Sequence, residues 1–155
     1  MKKEKSQRPR ATGSHRTRVL FVCVGNACRS PMAEAIAHYD AADVMEASSA
    51  GLYPLGYIAE LTKQTLIKNG YSVNGLTSDR LTREAMDAAD LIINMTGAPS
   101  EHIFDGGKNV EDWLVEDPYG EDPETYQHVF EGIRRRVNQL ALSLRGKHVS
   151  QRVGR

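Results

Sequence analysis

Residues 19–34 read VLFVCVGNACRSPMAE, and they divide into three parts. The apolar run Val19–Val22 predicts a buried strand, and a loop from Cys23 onward follows it. Ser30 and Pro31 then predict the start of a helix, with Ser30 as N-cap and Pro31 at the first helical position. Such a tight strand–loop–helix turn aims several backbone N–H groups at one point, and the helix N-terminus adds a partial positive charge. The stretch therefore predicts a site for a tetrahedral oxyanion.

The side chains of this loop indicate what the site does with an anion. Cys23 lies at the end of the strand, beneath the anion site, and Arg29 lies at the far end, where a guanidinium can hold two oxygens at once. Gly25 and Asn26 between them tolerate positive φ, which a cradle-shaped loop requires. A helix N-terminus, an arginine and a ring of N–H groups favour the thiolate form of a cysteine, which is the nucleophilic form. The loop therefore predicts a cysteine nucleophile whose surrounding donors also stabilise the transition state.

The pattern Cys23-x5-Arg29-Ser30, with the residues that flank it, resembles the phosphate-binding loop of the low-molecular-weight protein tyrosine phosphatases. The match extends over residues 22–34. The resemblance implies that Cys23 and Arg29 are catalytic. It also implies that the other loop residues bind the substrate: Val24, Gly25, Asn26, Ala27, Cys28 and Ser30. The alternative is a buried structural cysteine at a strand end, a common position for cysteine.

The resemblance also implies supporting roles within the loop. Ser30 would donate its hydroxyl to the Cys23 sulfur and stabilise the thiolate as a leaving group. Asn26 would hold the loop shape by bonding Ser30 and Ser49. Cys28 would form a reversible disulfide that protects Cys23 from over-oxidation. A small apolar loop residue is an equal interpretation of Cys28, and the sequence leaves both open.

Composition and charge describe the chain around this loop. The 155 residues are 26% charged and 6% aromatic, contain two cysteines, and include no apolar run of membrane-spanning length or signal-peptide character. Seven basic residues and one acidic residue give residues 1–18 a net charge of +6. We predict a basic, unordered extension over residues 1–17, one phosphatase domain over residues 18–146 and a basic tail over residues 147–155. The extension carries enough positive charge to contact nucleic acid or an anionic surface. A solvated terminus is the simpler interpretation.

Apolar periodicity alternates between strands and helices along the chain. The predicted strands are 19–23, 44–49, 91–95 and 110–115, and the predicted helices are 31–41, 58–69, 81–89, 98–105 and 122–146. This alternation is typical of an α/β fold whose parallel sheet is covered by helices on both faces. The resemblance implies the specific form, a small four-stranded parallel sheet with the phosphate-binding loop after strand 1. Ligands bind such sheets at the carboxyl ends of the strands, where Cys23 is predicted to lie.

Asp117 is the predicted general acid. The leaving oxygen of a phosphate ester must be protonated, and a thiolate has no proton to give, so a carboxylic acid from elsewhere must reach the site. Two Asp-Pro pairs follow the fourth strand, at Asp117 and Asp122. Asp122 stands where it would cap the last helix, whereas Asp117-Pro118-Tyr119 matches the general-acid motif of the family. The implied mechanism is attack by Cys23 on phosphorus, protonation of the leaving oxygen by Asp117, and hydrolysis of the phosphocysteine with Asp117 as base.

Aromatic side chains around the cleft would select phosphotyrosine, because its ring stacks on them while the depth of the cleft excludes phosphoserine. Tyr119 is the main candidate for such a wall, and Tyr53 and Tyr57 are weaker candidates. The chain departs from the family at nearby positions, Leu55, Gly120 and Leu76. Many members have aromatic residues at the first two positions and, at the third, a histidine that braces the loop asparagine.

Two other functions stay open from the sequence. Thioredoxin-linked arsenate reductases share this fold and loop, but they need two further cysteines, the first near Thr96, and this chain has only Cys23 and Cys28. A non-catalytic phosphate- or phosphopeptide-binding module would not need a thiolate and a proton donor. We therefore expect a protein-tyrosine-phosphatase that takes a phosphotyrosine-containing protein as substrate, with inorganic phosphate as product and inhibitor. We expect no metal or other cofactor, no membrane or nucleic-acid partner, a monomer, and a cytoplasmic location.

Overall fold

The computed structural model describes residues 16–106 and 108–153, with side chains up to residue 147. Strands and helices alternate along most of the chain. In chain order they are β1 (Thr17–Cys23), α1 (Arg29–Asp40), β2 (Met45–Gly51), α2 (Glu60–Lys68), α3 (Arg83–Ala88), β3 (Leu91–Asn94), a 3-10 helix (Ser100–His102), β4 (Val110–Asp112) and α4 (Pro123–Val153). No helix in this part of the chain combines the length and apolar character that a membrane span requires.

The four strands form one parallel sheet in the order β2-β1-β3-β4. This confirms the predicted α/β fold with a small four-stranded parallel sheet. Cys23 at the end of β1 pairs with Gly51 at the end of β2, and Val22 pairs with Asn94 at the end of β3. The carboxyl ends of the three strands therefore meet at one edge of the sheet. The loops that follow them have to converge there.

Helices cover both faces of the sheet because β1 alternates its side chains between two apolar clusters. Val19 and Phe21 pack with α1, α2 and α4 in the larger cluster. Leu20 and Val22 belong to a smaller cluster against which α3 packs through Met86. All four strand residues are at most 1% exposed. A strand buried on both faces reads as an uninterrupted apolar run, which is the pattern that β1 shows in the sequence.

Several predicted boundaries differ from the structure. Helix α1 begins at Arg29, so Ser30 is not its N-cap but its second residue, and the Ser30 hydroxyl is occupied by the loop instead. Pro31 still lies in the first turn, where the N–H groups have no intrahelical partner. Helix α4 continues to Val153, beyond its predicted end at residue 146. The predicted cap of α4 is confirmed, because the Thr125 N–H donates to Asp122 Oδ1 at 2.9 Å.

The ends of the sheet also differ from the prediction. Strand β1 already includes Thr17, whose N–H donates to the Val44 carbonyl at 2.9 Å, while residues 1–15 of the predicted extension lie outside the described residues. Strand β4 ends at Asp112, three residues before its predicted end, because the chain then leaves the ladder and turns the Val115 carbonyl toward Arg29. The helix predicted over residues 98–105 is reduced to a single 3-10 turn.

Candidate active site

The loop between β1 and α1 turns its carbonyl groups outward and leaves its N–H groups free. The carbonyls of Val24, Gly25 and Ala27 accept hydrogen bonds of 2.8, 3.0 and 3.1 Å from backbone N–H groups of residues 53, 55 and 59. Between described residues, no hydrogen bond uses the N–H groups of residues 24–28. Buried N–H groups are almost always paired in proteins. An unpaired row of them in a cradle, at the start of a helix, is therefore a site for an anion.

Asn26 holds the shape of this loop. Its φ of 46° is the only positive value among the described residues other than glycine, as the sequence predicts for a tight cradle. Its side chain is fully buried, and Nδ2 donates to Ser30 Oγ at 2.7 Å and to Ser49 Oγ at 3.0 Å. Both contacts are those that the resemblance implies. The Asp79 N–H donates to Asn26 Oδ1 at 2.7 Å, so the backbone braces the loop asparagine in this chain, in which Leu76 stands where the resemblance implies a histidine.

Two glycines, Gly25 and Gly51, allow close packing around the loop. Our prediction that Gly25 has a positive φ was wrong. A Cβ atom on Gly25 would lie 3.3 Å from Leu55 Cγ. The absence of a side chain at Gly25 therefore allows the segment that contains Leu55 to pack closely against the loop. The sequence analysis did not assign Gly51 to the site, and this position has even less room for a side chain. A Cβ atom on Gly51 would lie 2.7 Å from the Val24 carbonyl oxygen and 2.8 Å from Asn26 Cβ, so no other residue fits there.

Cys23 lies under the cradle at the end of β1. Its side chain is 2% exposed, and Sγ lies 3.0 Å from Ser30 Oγ. Asn26 Nδ2 donates to the Ser30 oxygen, and the Ser30 hydroxyl proton has two acceptors in reach, the Cys23 sulfur at 3.0 Å and the Ala50 carbonyl at 3.5 Å, of which the sulfur is the nearer. The predicted hydrogen bond from Ser30 to Cys23 is therefore geometrically present. A hydroxyl donor beside sulfur favours a negative charge on it.

Backbone carbonyls hold one side of the Arg29 guanidinium, and the residue also lines the cleft. Its side chain is 7% exposed, and Nη1 donates to the carbonyls of Met95 at 2.7 Å and Val115 at 3.3 Å. These carbonyls follow β3 and β4, so the ends of two strands orient one side chain. Nε is fully buried and has no hydrogen-bond partner among the described residues. A buried donor without a partner is costly, and a bound oxyanion would satisfy it together with Nη2.

Asp117 lies on the loop after β4 and faces the same cleft. Its Oδ2 is 3.4 Å from Arg29 Nη2, and its Oδ1 accepts from the Tyr119 N–H at 3.2 Å. The side chain is 53% exposed, so a proton can exchange with solvent. Asp122 instead accepts from Thr125, and this contact holds the pKa of the Asp122 carboxyl below its ordinary value. The structure therefore separates the two carboxylates as the sequence predicts.

These residues surround one cleft with a volume of about 280 Å³. Its floor includes Cys23, Arg29 and the loop, and its upper walls are Tyr53, Leu55 and Tyr119. Of the predicted substrate-binding residues, the lining includes Val24, Gly25, Ala27, Cys28 and Tyr119. The side chains of Asn26 and Ser30 belong to the hydrogen-bond network that supports the loop, so their expected contact with substrate is limited to the backbone. Tyr57, a weaker candidate for a wall, is not part of the lining.

Cys28 is a second buried thiol at the cleft. Both cysteines are free, and Cys28 Sγ lies 3.4 Å from the Tyr126 hydroxyl. Burial raises the pKa of the Cys28 thiol and also that of Tyr126. Cys28 is therefore held in its neutral form under conditions where an activated cysteine would ionise. Its disulfide with Cys23 stays a prediction.

Glu34 is a further supporting residue that the sequence analysis did not identify. The Ser49 hydroxyl donates to Glu34 Oε1 at 2.6 Å, which extends the network from Asn26 into α1. His38 Nε2 lies 3.6 Å from the other carboxylate oxygen. Burial raises the pKa of the Glu34 carboxyl, and the hydrogen bond from Ser49 opposes that effect. Glu34 lies one helical turn after Ser30, and this spacing is a signal from which its place beside the loop could have been inferred.

A family model described as low molecular weight phosphotyrosine protein phosphatase matches residues 18–151. This chain belongs to that family. The match covers the phosphate-binding loop, the sheet and the loop that carries Asp117. It confirms the resemblance on which the sequence analysis relied.

Individual members of the family carry different names. The chain is 31% identical to the "Probable low molecular weight protein-tyrosine-phosphatase EpsP" of Ralstonia nicotianae, over 77% of this chain and 90% of that protein. It is also 31% identical to the "Glutaredoxin arsenate reductase" of a Synechocystis species, over 79% of this chain and 95% of that protein. The solved structure of the YwlE arginine phosphatase from Geobacillus stearothermophilus superposes with a TM-score of 0.77 at 26% identity, over 86% of this chain and 96% of the other. The family is thus shown, and the substrate has to be argued from the cleft.

Proposed function

We propose that this protein is a phosphatase that hydrolyses aryl phosphate monoesters, with phosphotyrosine in proteins as its substrate class. One observation carries the proposal. Loop N–H groups without a described partner, a buried sulfur, the Nε–Nη2 edge of Arg29 and the Asp117 carboxylate surround a single cleft. Binding of phosphate alone would use the N–H groups and the guanidinium. A nucleophile beneath the anion and a carboxyl group beside it are what phosphoryl transfer requires in addition.

The first step forms a phosphocysteine. The loop N–H groups and Arg29 hold the three non-bridging oxygens, and the Cys23 thiolate attacks phosphorus in line with the ester bond. The P–O bond to the leaving group breaks as the S–P bond forms. Asp117 gives its proton to the departing oxygen, so that the leaving group departs as a neutral phenol. The carboxyl group ends this step as a carboxylate.

The second step releases inorganic phosphate. The Asp117 carboxylate takes a proton from a water molecule that attacks phosphorus from the side the phenol has left. The S–P bond breaks and the thiolate is restored. The Ser30 hydroxyl, 3.0 Å from the sulfur, stabilises the negative charge that returns to it. Both steps reuse the same donors, because the charge on the phosphoryl oxygens has to be stabilised in each transition state.

The cleft favours an aromatic leaving group. Tyr53 and Tyr119 present ring surfaces at its mouth, and Leu55 adds an aliphatic wall. The phenyl ring of phosphotyrosine would pack against these side chains, whereas the short side chain of phosphoserine would not bring its phosphate to the loop. Among the described residues, Asp117 is the only carboxylate that lines this cleft. A phosphoarginine guanidinium would therefore meet one negative charge and several apolar surfaces.

The names of the relatives define the competing substrates. Phosphoarginine is the alternative that the structural similarity to an arginine phosphatase supports. Arsenate is the alternative that the similarity to a glutaredoxin arsenate reductase supports. Reduction of arsenate by a thiol requires a route for the resulting disulfide. Cys28 is the only other cysteine of the chain, so such a route would have to use Cys28 or an external thiol.

A substrate panel tests the proposal. We predict turnover of peptides that contain phosphotyrosine, weak or no turnover of matched phosphoserine and phosphoarginine peptides, and no arsenate reduction with glutaredoxin or thioredoxin. Cys23→Ser should lower turnover by at least about 10³-fold, as the loss of a covalent nucleophile does in other enzymes. It should retain binding of inorganic phosphate, because the cradle does not depend on the sulfur. Preferred turnover of phosphoarginine would replace the substrate class, and an active Cys23→Ser variant would overturn the covalent mechanism.

A further inference from the structure

The loop of residues 53–57 and the loop of residues 117–121 meet at the mouth of the cleft. The Tyr57 and Tyr119 hydroxyls lie 2.8 Å apart and form a hydrogen bond between residues 62 positions apart in the chain. Among the described residues, no other hydrogen bond or ion pair joins these two loops. Tyr119 lines the cleft and Tyr57 does not. Tyr57 therefore acts on the cleft only through Tyr119.

The loop of residues 53–57 is fixed at its base. Tyr53 and Leu55 donate their N–H groups to carbonyls of the phosphate-binding loop, and the Gly56 N–H donates to Ser78 Oγ at 3.1 Å. The Ser78 hydroxyl donates in turn to the Gly25 carbonyl at 3.2 Å. Tyr57 thus projects from a segment that is tied to the anion site. The backbone of this segment is therefore anchored, and Tyr57, which is 52% exposed, reaches Tyr119 from it.

The loop that carries Asp117 is tied less completely. A turn closes it, in which the Glu121 N–H donates to the Pro118 carbonyl at 2.8 Å and Gly120 has a φ of 84°. Inside the turn the Tyr119 N–H donates to Asp117 Oδ1. The Tyr119 ring itself is 48% exposed. An exposed ring keeps one orientation only if a contact selects it, since its rotation costs little.

We propose that Tyr57 is a positioning residue, whose hydrogen bond to Tyr119 fixes the aromatic wall against which the ring of the substrate packs. The inference rests on the proposed function, because an aryl leaving group is what such a wall would hold. It goes beyond that function in assigning substrate selection to a residue outside the cleft. The phosphoryl group lies deeper, on the loop and Arg29, so the hydrogen bond affects recognition of the ring and not binding of phosphate.

The kinetic test uses Tyr57→Phe, which removes one oxygen atom and keeps the ring. We expect KM for a phosphotyrosine peptide to rise about two- to fivefold, which is the effect of losing one half-exposed neutral hydrogen bond. The value of kcat and inhibition by inorganic phosphate should stay unchanged. Tyr119→Phe should show the same rise, and the double variant should be no worse than either single variant, because both remove one interaction. Tyr39→Phe is the control, since Tyr39 is 69% exposed on α1 and does not line the cleft.

A second measurement does not depend on activity. The hydrogen bond between the Tyr119 and Tyr57 hydroxyls raises the pKa of the Tyr119 hydroxyl above its ordinary value of 10.0, which is the effect expected when Tyr119 is the donor. In protein labelled with ¹³C at the tyrosine Cζ atoms, Tyr57→Phe should move the titration of Tyr119 back toward that value, and Tyr39→Phe should not. This readout holds even if the wild-type protein hydrolyses no aryl phosphate, a result that would reject the proposed function alone. An unchanged Tyr119 titration, or additive effects of the two variants on KM, would overturn the role of Tyr57.

Discussion

Arg29 is oriented before any substrate binds. Two carbonyls at the ends of β3 and β4 fix Nη1, while Nε is buried without a partner among the described residues. No protein acceptor among the described residues uses the Nε donor. In the proposed function, an oxygen of the bound phosphoryl group is its acceptor. The same preorganisation means that the guanidinium needs no rearrangement in the transition state.

The assignment of the general acid is tested at the scale of single carboxylates. Asp117→Asn keeps the size of the side chain and removes the proton, so turnover should fall by about 10²–10⁴-fold for a leaving group of high pKa. The loss should shrink for activated aryl phosphates, because their leaving oxygen hardly needs a proton. Turnover of a series of substituted aryl phosphates measures this dependence.

Asp122→Asn is the matched control for that variant. Asn caps a helix about as well as Asp does, so both kcat/KM and the thermal midpoint should stay close to those of the wild type. A loss at Asp117→Asn that is equal for all leaving groups would indicate a positioning role for Asp117. A leaving-group dependence at Asp122→Asn would mean that the proton comes from the other carboxyl group.

At the scale of elements, the unit β1–loop–α1 depends on contacts from outside itself. Asn26 bonds Ser49 on β2 and the backbone of Asp79, and the loop carbonyls are bonded to residues 53–59. Glu34 on α1 completes this network through Ser49. The loop therefore keeps its open row of N–H groups because neighbouring elements satisfy its carbonyls and its side chains.

Glu34 gives this network a dependence on pH that can be measured as stability. Burial raises the pKa of its carboxyl above the ordinary value of 4.5, so the folded protein holds this proton more tightly than the unfolded chain does. The resulting stability is fully present below pH 4.5 and is lost as the pH rises through the folded pKa. Glu34→Gln stays neutral and keeps an oxygen for the Ser49 hydroxyl. Its free energy of unfolding should therefore rise relative to that of the wild type as the pH increases from about 4.5 to 7.

Urea unfolding at several pH values across this range measures the effect. Glu60→Gln on α2 is the control, because the Glu60 side chain is 70% exposed and its charge costs little in the folded state. The difference from the wild type should change more with pH for Glu34→Gln than for this control. A constant difference for Glu34→Gln would show that its carboxyl does not titrate differently in the folded protein.

At the scale of the whole molecule, the features that could be predicted from the sequence are those that a few neighbouring residues determine. The apolar run of β1, the loop pattern, the Asp-Pro pairs and the cap at Asp122 are each contained within a few residues, and each was found in its place. The strict need for glycine at Gly51 arises from contact with Val24 and Asn26, which are some 25 residues away in the chain. The hydroxyl contact between Tyr57 and Tyr119 is likewise non-local. Periodicity and motifs do not report such contacts, because they appear only when elements pack together.

The substrate is the other property that local pattern did not define. The relatives of this chain include proteins named as tyrosine phosphatase, arginine phosphatase and arsenate reductase, so the loop pattern and the Asp-Pro pair predict phosphoryl or arsenate chemistry in general. Phosphoarginine did not enter the sequence-based alternatives, although relatives with that activity in their names are similar to this chain. In our proposal, the wall of the cleft that includes Tyr53, Leu55 and Tyr119 distinguishes the substrates. These side chains come from two separate loops, which the sheet brings together.

Because the predicted phosphatase domain begins at residue 18, we predict that residues 1–15 are not needed for catalysis. Residues proposed for the site lie between Cys23 and Tyr119, and Arg16, the first described residue, already donates to the Ala42 carbonyl at 3.0 Å. A chain that starts at residue 16 should keep its thermal midpoint and hydrolyse a small aryl phosphate within about twofold of the full chain.

On an acidic phosphopeptide, the shortened chain should be slower than the full chain at low salt and equal to it at high salt. The reason is that basic residues steer anionic partners and salt screens their charges. Replacing the five basic residues of segment 1–15 by Gln in the full chain controls for length. A large loss on the small substrate would instead place this segment within the catalytic fold.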